Sequence, residues 1–279
     1  MTGRLVVTGA SGLLGPYLLE EAARHGEVIG VARSGPHACD LADAAQVARL
    51  LREASPRLVV HSAGFTDVDG CERDPERADR TNRATAANLA AALPDGAQLV
   101  YISTDQVYST SVGLHREGGE APINVYGRSK LAGEEAARSC GRALVLRTNF
   151  FGPSRTPGRQ SLSDFVAQNL RARQPIKLFR DVYFSPLHMV SLTRLVFELA
   201  TAGVTGVFNA ASRDGMTKRD FGRRVAAHLG LQTETAQDAD SVSVAGRAPR
   251  PLDLRMDPSR LEAALGRPMP TLAEEIDKL

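Results

Sequence analysis

Short apolar runs alternate with amphipathic stretches through the first half of the chain. Residues 5–8 form an apolar run that ends at a glycine turn, and residues 12–25 then carry Leu13, Leu14, Tyr17, Leu18 and Ala22 at the spacing of one helical face. The same reading predicts strands at 27–32, 57–61, 98–103 and 143–148, with helices at 42–54, 75–93 and 126–139 between them. Strands that alternate with helices imply a parallel sheet joined by right-handed crossovers and covered by helices on both faces. The expected class is therefore α/β, doubly wound. Beyond residue 152 the pattern loosens into the polar loop GPSRTPGRQS, a helix at 162–173 and a short strand at 176–179. A helix at 190–202 and a strand at 206–210 are placed to rejoin the main sheet, after which 218–229 and 258–265 read as helices of a smaller lobe. Residues 232–245 read as a polar loop.

Chemistry enters at the first strand end. Thr8-Gly9-Ala10-Ser11-Gly12-Leu13-Leu14-Gly15 sets glycines three apart where strand gives way to helix. There, backbone amides of Gly9, Ser11, Gly12, Leu13, Leu14 and Gly15 can meet a pyrophosphate at a helix N-terminus. A tight turn is the bland alternative, but the position directly after an N-terminal strand favours dinucleotide binding and so a Rossmann-type domain. About 20 residues on, an NAD-selective site would carry an acid on the ribose. This chain has Arg33 and Ser34 instead, which favours NADPH, with NADH as the alternative; Asp40 and Leu41 are placed to hold the adenine edge, or Asp40 to cap a helix beginning at Ala42. Ser103-Thr104-Asp105 closes a later strand, and Tyr126 and Lys130 lie four apart at the start of a helix, on one face. Thr104, Tyr126 and Lys130 are the candidate catalytic set. An ammonium beside a phenol favours the phenolate, so Tyr126 could protonate a carbonyl oxygen that Thr104 holds.

Taken together, TGASGLLG at 8–15, HSAGFTDVDGCE at 61–72, YISTDQVY at 101–108, NVYGRSKLAGE at 124–134, LRTNFFGP at 146–153 and RPLDLRMDPSRLEAALG at 250–266 carry a resemblance to the extended short-chain dehydrogenase/reductases. Within them the chain resembles the dTDP-4-dehydrorhamnose reductases along nearly its full length. The resemblance implies that Ala63, Gly64 and Ser103 line the cofactor. It implies further that Thr66, Val68, Asp105 and Asn149 face nicotinamide or substrate, that Thr104, Tyr126 and Lys130 form the triad, and that a nucleotide sugar binds between sheet and lobe. A homodimer is the oligomer it suggests. Two departures stand out: Gln106 where an aromatic residue is usual, and His61 in place of asparagine, read as a strand-end residue bonded to backbone. His188 is a candidate substrate contact, and Arg155, Arg247 and Arg250 are candidates for a diphosphate.

These features predict a dinucleotide-binding domain over 1–151, rejoined by about 186–210, and a smaller C-terminal substrate lobe from 152–185 and 211–279. The expected activity is NADPH-dependent reduction of a nucleotide-linked 4-keto-6-deoxy sugar. The alternatives are an epimerase or dehydratase of such sugars, or a non-catalytic NADP-binding regulatory subunit resembling the β-subunit of methionine adenosyltransferase. Composition adds exclusions. With 279 residues, a net charge of +2 and 24% charged residues, nothing points to nucleic acid. Three cysteines without a CxxC pair suggest neither disulfides nor zinc. The absence of a long apolar run and of a signal-peptide core predicts a cytoplasmic protein away from membranes.

Overall fold

The computed structural model describes residues 3–244 and 246–279. The N-terminal part runs β1 (Arg4–Thr8), α1 (Gly15–Ala23), β2 (Glu27–Val31), α2 (Ala44–Ala54) and β3 (Leu58–His61). Two short helices, α3 (Val68–Arg73) and α4 (Pro75–Asp79), lead through a π-helical turn at Arg80–Ala84 into α5 (Thr85–Ala91). Then come β4 (Gln98–Thr104), α6 (Val125–Arg138) and β5 (Ala143–Thr148). Together with a later strand these form one six-stranded sheet, described below. Their side chains explain the layering. In β1, Leu5 and Val7 pack with Tyr17 and Leu18 on one face, whereas Val6 packs with Val47 and Leu51 on the other. Each fully buried Leu or Val of this kind contributes about 1.5–3 kcal/mol.

The second part contains β6 (Phe150–Phe151), α7 (Leu162–Arg171), β7 (Ile176–Phe179), β8 (Tyr183–Phe184) and β9 (Leu187–His188). Next, α8 (Met189–Thr201) packs on α1, and β10 (Gly206–Ala210) pairs in parallel with β5. The large sheet thus has the order β2-β1-β3-β4-β5-β10, parallel in every pair. The remaining elements are β11 (Met216–Thr217), α9 (Lys218–His228), β12 (Ala236–Ala239), β13 (Asp253–Leu254), α10 (Ser259–Leu265) and α11 (Leu272–Ile276). All but α10 share a separate core with α7 in which Phe151 and Phe184 meet Phe221 edge-on, at centroid distances of 4.9 and 5.2 Å; α10, expected in the smaller lobe, instead buries Leu261 in the core of the large sheet.

Three local expectations are corrected. The long helix expected at 75–93 is interrupted, because the turn at Arg80–Ala84 inserts a residue where the Tyr101 hydroxyl donates to the Asn82 carbonyl at 3.2 Å. The loop expected at 232–245 contains β12, paired with β7. Asp43, not Asp40, caps α2 by accepting from the amides of Ala45 and Gln46; Asp40 accepts from Ala42 outside the helix.

Candidate functional site

In the large sheet the chain winds outward from β1 in both directions, so β1 and β3 flank the point where strand order reverses, and their carboxyl ends open into a crevice of about 1060 Å³. Gly9 begins it. Its φ of 76° suits glycine, and a Cβ there would stand 2.7 Å from the Ala63 amide nitrogen, so the turn can lie against the end of β3 only without a side chain. Gly15 starts α1 where any side chain would collide with the Ala10 carbonyl. Pro16 follows in the first turn, where its missing N–H is tolerated. No side chain caps this helix, and its first turn carries no acid. Its amides are therefore available to an anion.

At the far end of β1 and β2, Arg33 lines the crevice and its guanidinium makes no ion pair among the described residues. Across from it Arg80 reaches Asp40 at 3.1 Å. Below the turn, His61 is fully buried between the hydroxyls of Thr8 and Thr85, at 2.7 and 3.1 Å. Burial holds its imidazole neutral, down to about 3, with the Lys130 charge acting in the same direction.

The middle of the crevice joins β4 to α6. Asn124 caps α6 by accepting from the Gly127 amide at 2.7 Å, and its own amide donates to Gln106 at 3.0 Å and to the Pro249 carbonyl at 2.9 Å. Gln106, the unusual residue of its stretch, thus ties the strand end to α6. The cap directs Tyr126 and Lys130 inward. Burial raises the pKa of the Tyr126 phenol well above the ordinary phenol range, and the Thr104 hydroxyl opposes that shift. One turn on, the Lys130 ammonium donates to the Ile102 carbonyl at 2.7 Å and lies 4.0 Å over the Tyr101 ring. Burial lowers this ammonium to about 7, while Glu134 pulls the other way.

Beneath them Glu134 takes three bonds from the Arg147 guanidinium, at 3.0, 3.1 and 2.6 Å, and accepts from Ser103. Both charges are buried and paired, which anchors α6 to β4 and β5. Asp105 accepts from Asn149 at 2.8 Å; burial raises its carboxyl, and the Asn149 bond, with Lys218 of α9, opposes that shift.

The crevice wall includes the turn residues Gly9, Ser11, Gly12, Leu13 and Leu14, and Arg33, Asp40 and Leu41 at the far end. Ala63, Gly64, Thr66, Val68, Ser103, Thr104, Asp105, Tyr126, Lys130 and Asn149 complete the expected members that line it. Gly15 and Ser34 stand beside the wall rather than in it. Two expected substrate contacts lie outside the crevice wall. His188 does not line the crevice: it is buried against Phe151, its Nδ1 accepts from the Val190 amide at 3.2 Å, and burial holds it down to about 4. Arg250 is held by Asp69 at 2.8 Å outside the wall, a pairing that lowers the Asp69 carboxyl to about 2. Arg155 is also engaged, with Glu20 and over the Tyr17 ring. Arg77, Arg80, Thr81, Thr85, Arg159 and Gln160 line the wall without having been expected there. The first four recur at three- and four-residue spacing along the expected helix, a signal that could have been read; the last two sit in a loop that offers none.

A glycine turn at the reversal point of a parallel sheet, with threonine, tyrosine and lysine converging beyond it, places the molecule among the extended short-chain dehydrogenase/reductases. More narrowly, the chain belongs to the family described as RmlD substrate binding domain, whose model matches residues 3–279. It is 34% identical to the probable low-salt glycan biosynthesis reductase Agl14 of Haloferax volcanii, over 98% of this chain and 96% of that protein. It is 32% identical to the dTDP-4-dehydrorhamnose reductase of Mycolicibacterium smegmatis, over 90% and 77% respectively. The methionine adenosyltransferase 2 subunit beta of Pongo abelii shares 27%, over 93% and 81%. Among solved structures, the dTDP-4-dehydrorhamnose reductase of Bacillus anthracis in complex with NADP superimposes with a TM-score of 0.89 at 24% identity, covering 100% of this chain and 97% of that one. No helix among the described residues is long and apolar enough to cross a membrane.

Proposed function

We propose that the protein is an NADPH-dependent reductase of a keto group on a nucleotide-linked 4-keto-6-deoxy sugar. The observation that carries this reading is the convergence of Thr104, Tyr126 and Lys130 on one crevice wall, with Tyr126 and Lys130 one turn apart on α6. The uncapped start of α1 and Arg33, which makes no ion pair among the described residues, fit a phosphorylated dinucleotide. Such a cofactor supplies a hydride when bound.

The chain's own residues do the rest. Thr104 orients the carbonyl oxygen of the sugar, and Tyr126 delivers the proton from its Oη as negative charge grows there. A phenol whose pKa burial has raised is a reluctant acid, so the Lys130 ammonium has to stabilise the phenolate left behind. Glu134 helps keep that ammonium charged, and Asp105 with Asn149 borders the space left for the sugar.

The test is NADPH oxidation by the purified protein with dTDP-, GDP- and UDP-linked keto sugars. Stoichiometric consumption on at least one is expected. Turnover without net change in NADPH would move the assignment to an epimerase. The likeness to the methionine adenosyltransferase subunit favours one competing reading, a cofactor-binding regulatory subunit. Absence of turnover together with a stoichiometric enzyme partner would establish that instead.

A further inference from the structure

The loop after β6 crosses back to the glycine turn. Thr156 donates its hydroxyl to the Gly12 carbonyl at 2.9 Å, the Tyr17 hydroxyl donates to the Pro153 carbonyl at 2.6 Å, and Arg155 pairs with Glu20 on α1. Three contacts thus strap this segment onto the turn and helix that open the crevice. Three residues can extend about 10 Å, but the Arg159 amide donates to the Thr156 carbonyl at 3.1 Å, so the chain doubles back beside its anchor. Arg159 and Gln160 then enter the crevice wall together with Ser11, Gly12 and Leu13. Gln160 is bonded to Gln168, whereas the Arg159 guanidinium has no hydrogen bond or ion pair among the described residues.

We infer that Arg159 is a clamp on the pyrophosphate of the dinucleotide, delivered to the glycine turn by the strap. The inference rests on the dinucleotide reading given above. Charge balance supports it. A pyrophosphate carries two negative charges, and the start of α1 offers about half a positive charge, with no basic residue between positions 9 and 19 to add to it. Arg33 stands at the end of β2, where the ribose phosphate would lie, and Arg155 is already engaged with Glu20. Arg159 is the strap's remaining cation, and a guanidinium matches paired phosphate oxygens. Because the pyrophosphate is common to both nicotinamide cofactors, this residue raises affinity without choosing between them.

Isothermal titration of NADPH, NADH and dTDP into wild type, Arg159→Ala and Arg159→Lys tests the assignment, with thermal unfolding of each protein as the check on folding. Arg159→Ala should weaken NADPH and NADH by the same factor, about 10- to 100-fold as for a charge-assisted hydrogen bond, and leave dTDP unchanged. Arg159→Lys should lose less, since it keeps the charge. Unaltered cofactor affinities in a normally folded Arg159→Ala protein would overturn the clamp alone. So would a loss confined to NADPH, which would assign the residue to the ribose phosphate, or one confined to dTDP, which would assign it to substrate. Should Arg159→Ala fail to fold, equal weakening of both cofactors in Arg159→Lys supports the clamp and unchanged affinities there overturn it. Failure of the wild type to bind either cofactor would instead remove the dinucleotide reading on which the clamp depends.

Discussion

Lys130→Met should make the protein more stable and nearly inactive at once. The ammonium is buried, and its pKa falls from 10.5 to about 7 on folding. Between those values the unfolded chain holds more protons than the folded one, so stability rises with pH across that window. The penalty is complete below pH 7 and gone above 10.5. Worked through the linkage relation, it is about 5 kcal/mol at pH 6 and about 2 kcal/mol at pH 9. Methionine removes that penalty but also the bond to the Ile102 carbonyl, a loss of about 1–3 kcal/mol. The variant should therefore be about 2–4 kcal/mol more stable than wild type at pH 6. Its advantage should shrink by about 3 kcal/mol by pH 9. Urea unfolding of both proteins at the two pH values measures this directly, and turnover should fall by about 100-fold or more. A stability difference that stays flat from pH 6 to pH 9 would refute the reasoning, because Lys130 would then carry its charge without strain.

Other outcomes follow from the same geometry. Tyr126→Phe removes the proton donor alone, so turnover should drop by about 100-fold or more while the NADPH dissociation constant stays nearly fixed; wild-type turnover would end that assignment. Arg33→Ala should weaken NADPH far more than NADH, measured by titration of each, and an unchanged ratio would mean that Arg33 does not read the ribose phosphate. His61 is held neutral down to about 3, against an ordinary value near 6.5, so the unfolded chain takes up its proton first on acidification. Stability is thus lost progressively as pH falls through that interval, and His61→Asn should unfold at lower pH than wild type in an acid titration followed by circular dichroism. An unchanged acid midpoint would show that His61 does not govern it.

What could be read beforehand was what local spacing determines. The alternation of apolar runs set the strands of the large sheet, and Tyr126 with Lys130 fell on one helical face because both lie in a single uninterrupted helix. Pairings between distant segments were another matter. Arg250 shows a charge but not that Asp69, 181 residues earlier, would occupy it. The residues Arg80–Ala84 are compatible with ordinary helix, and what widens their turn is tertiary: α6 packs on it and Tyr101 takes the Asn82 carbonyl. His188 looked polar enough for a binding site, yet it caps α8 from within the interior.

The late arrival of β10 bears on how the chain matures. Until residues 206–210 emerge and dock, β5 presents the apolar edge Ala143–Thr148 with one side of its backbone unpaired. Nascent or prematurely terminated polypeptides ending before that point should therefore be prone to edge-to-edge association, and a chaperone that shields extended apolar segments would find its natural client in that interval of synthesis.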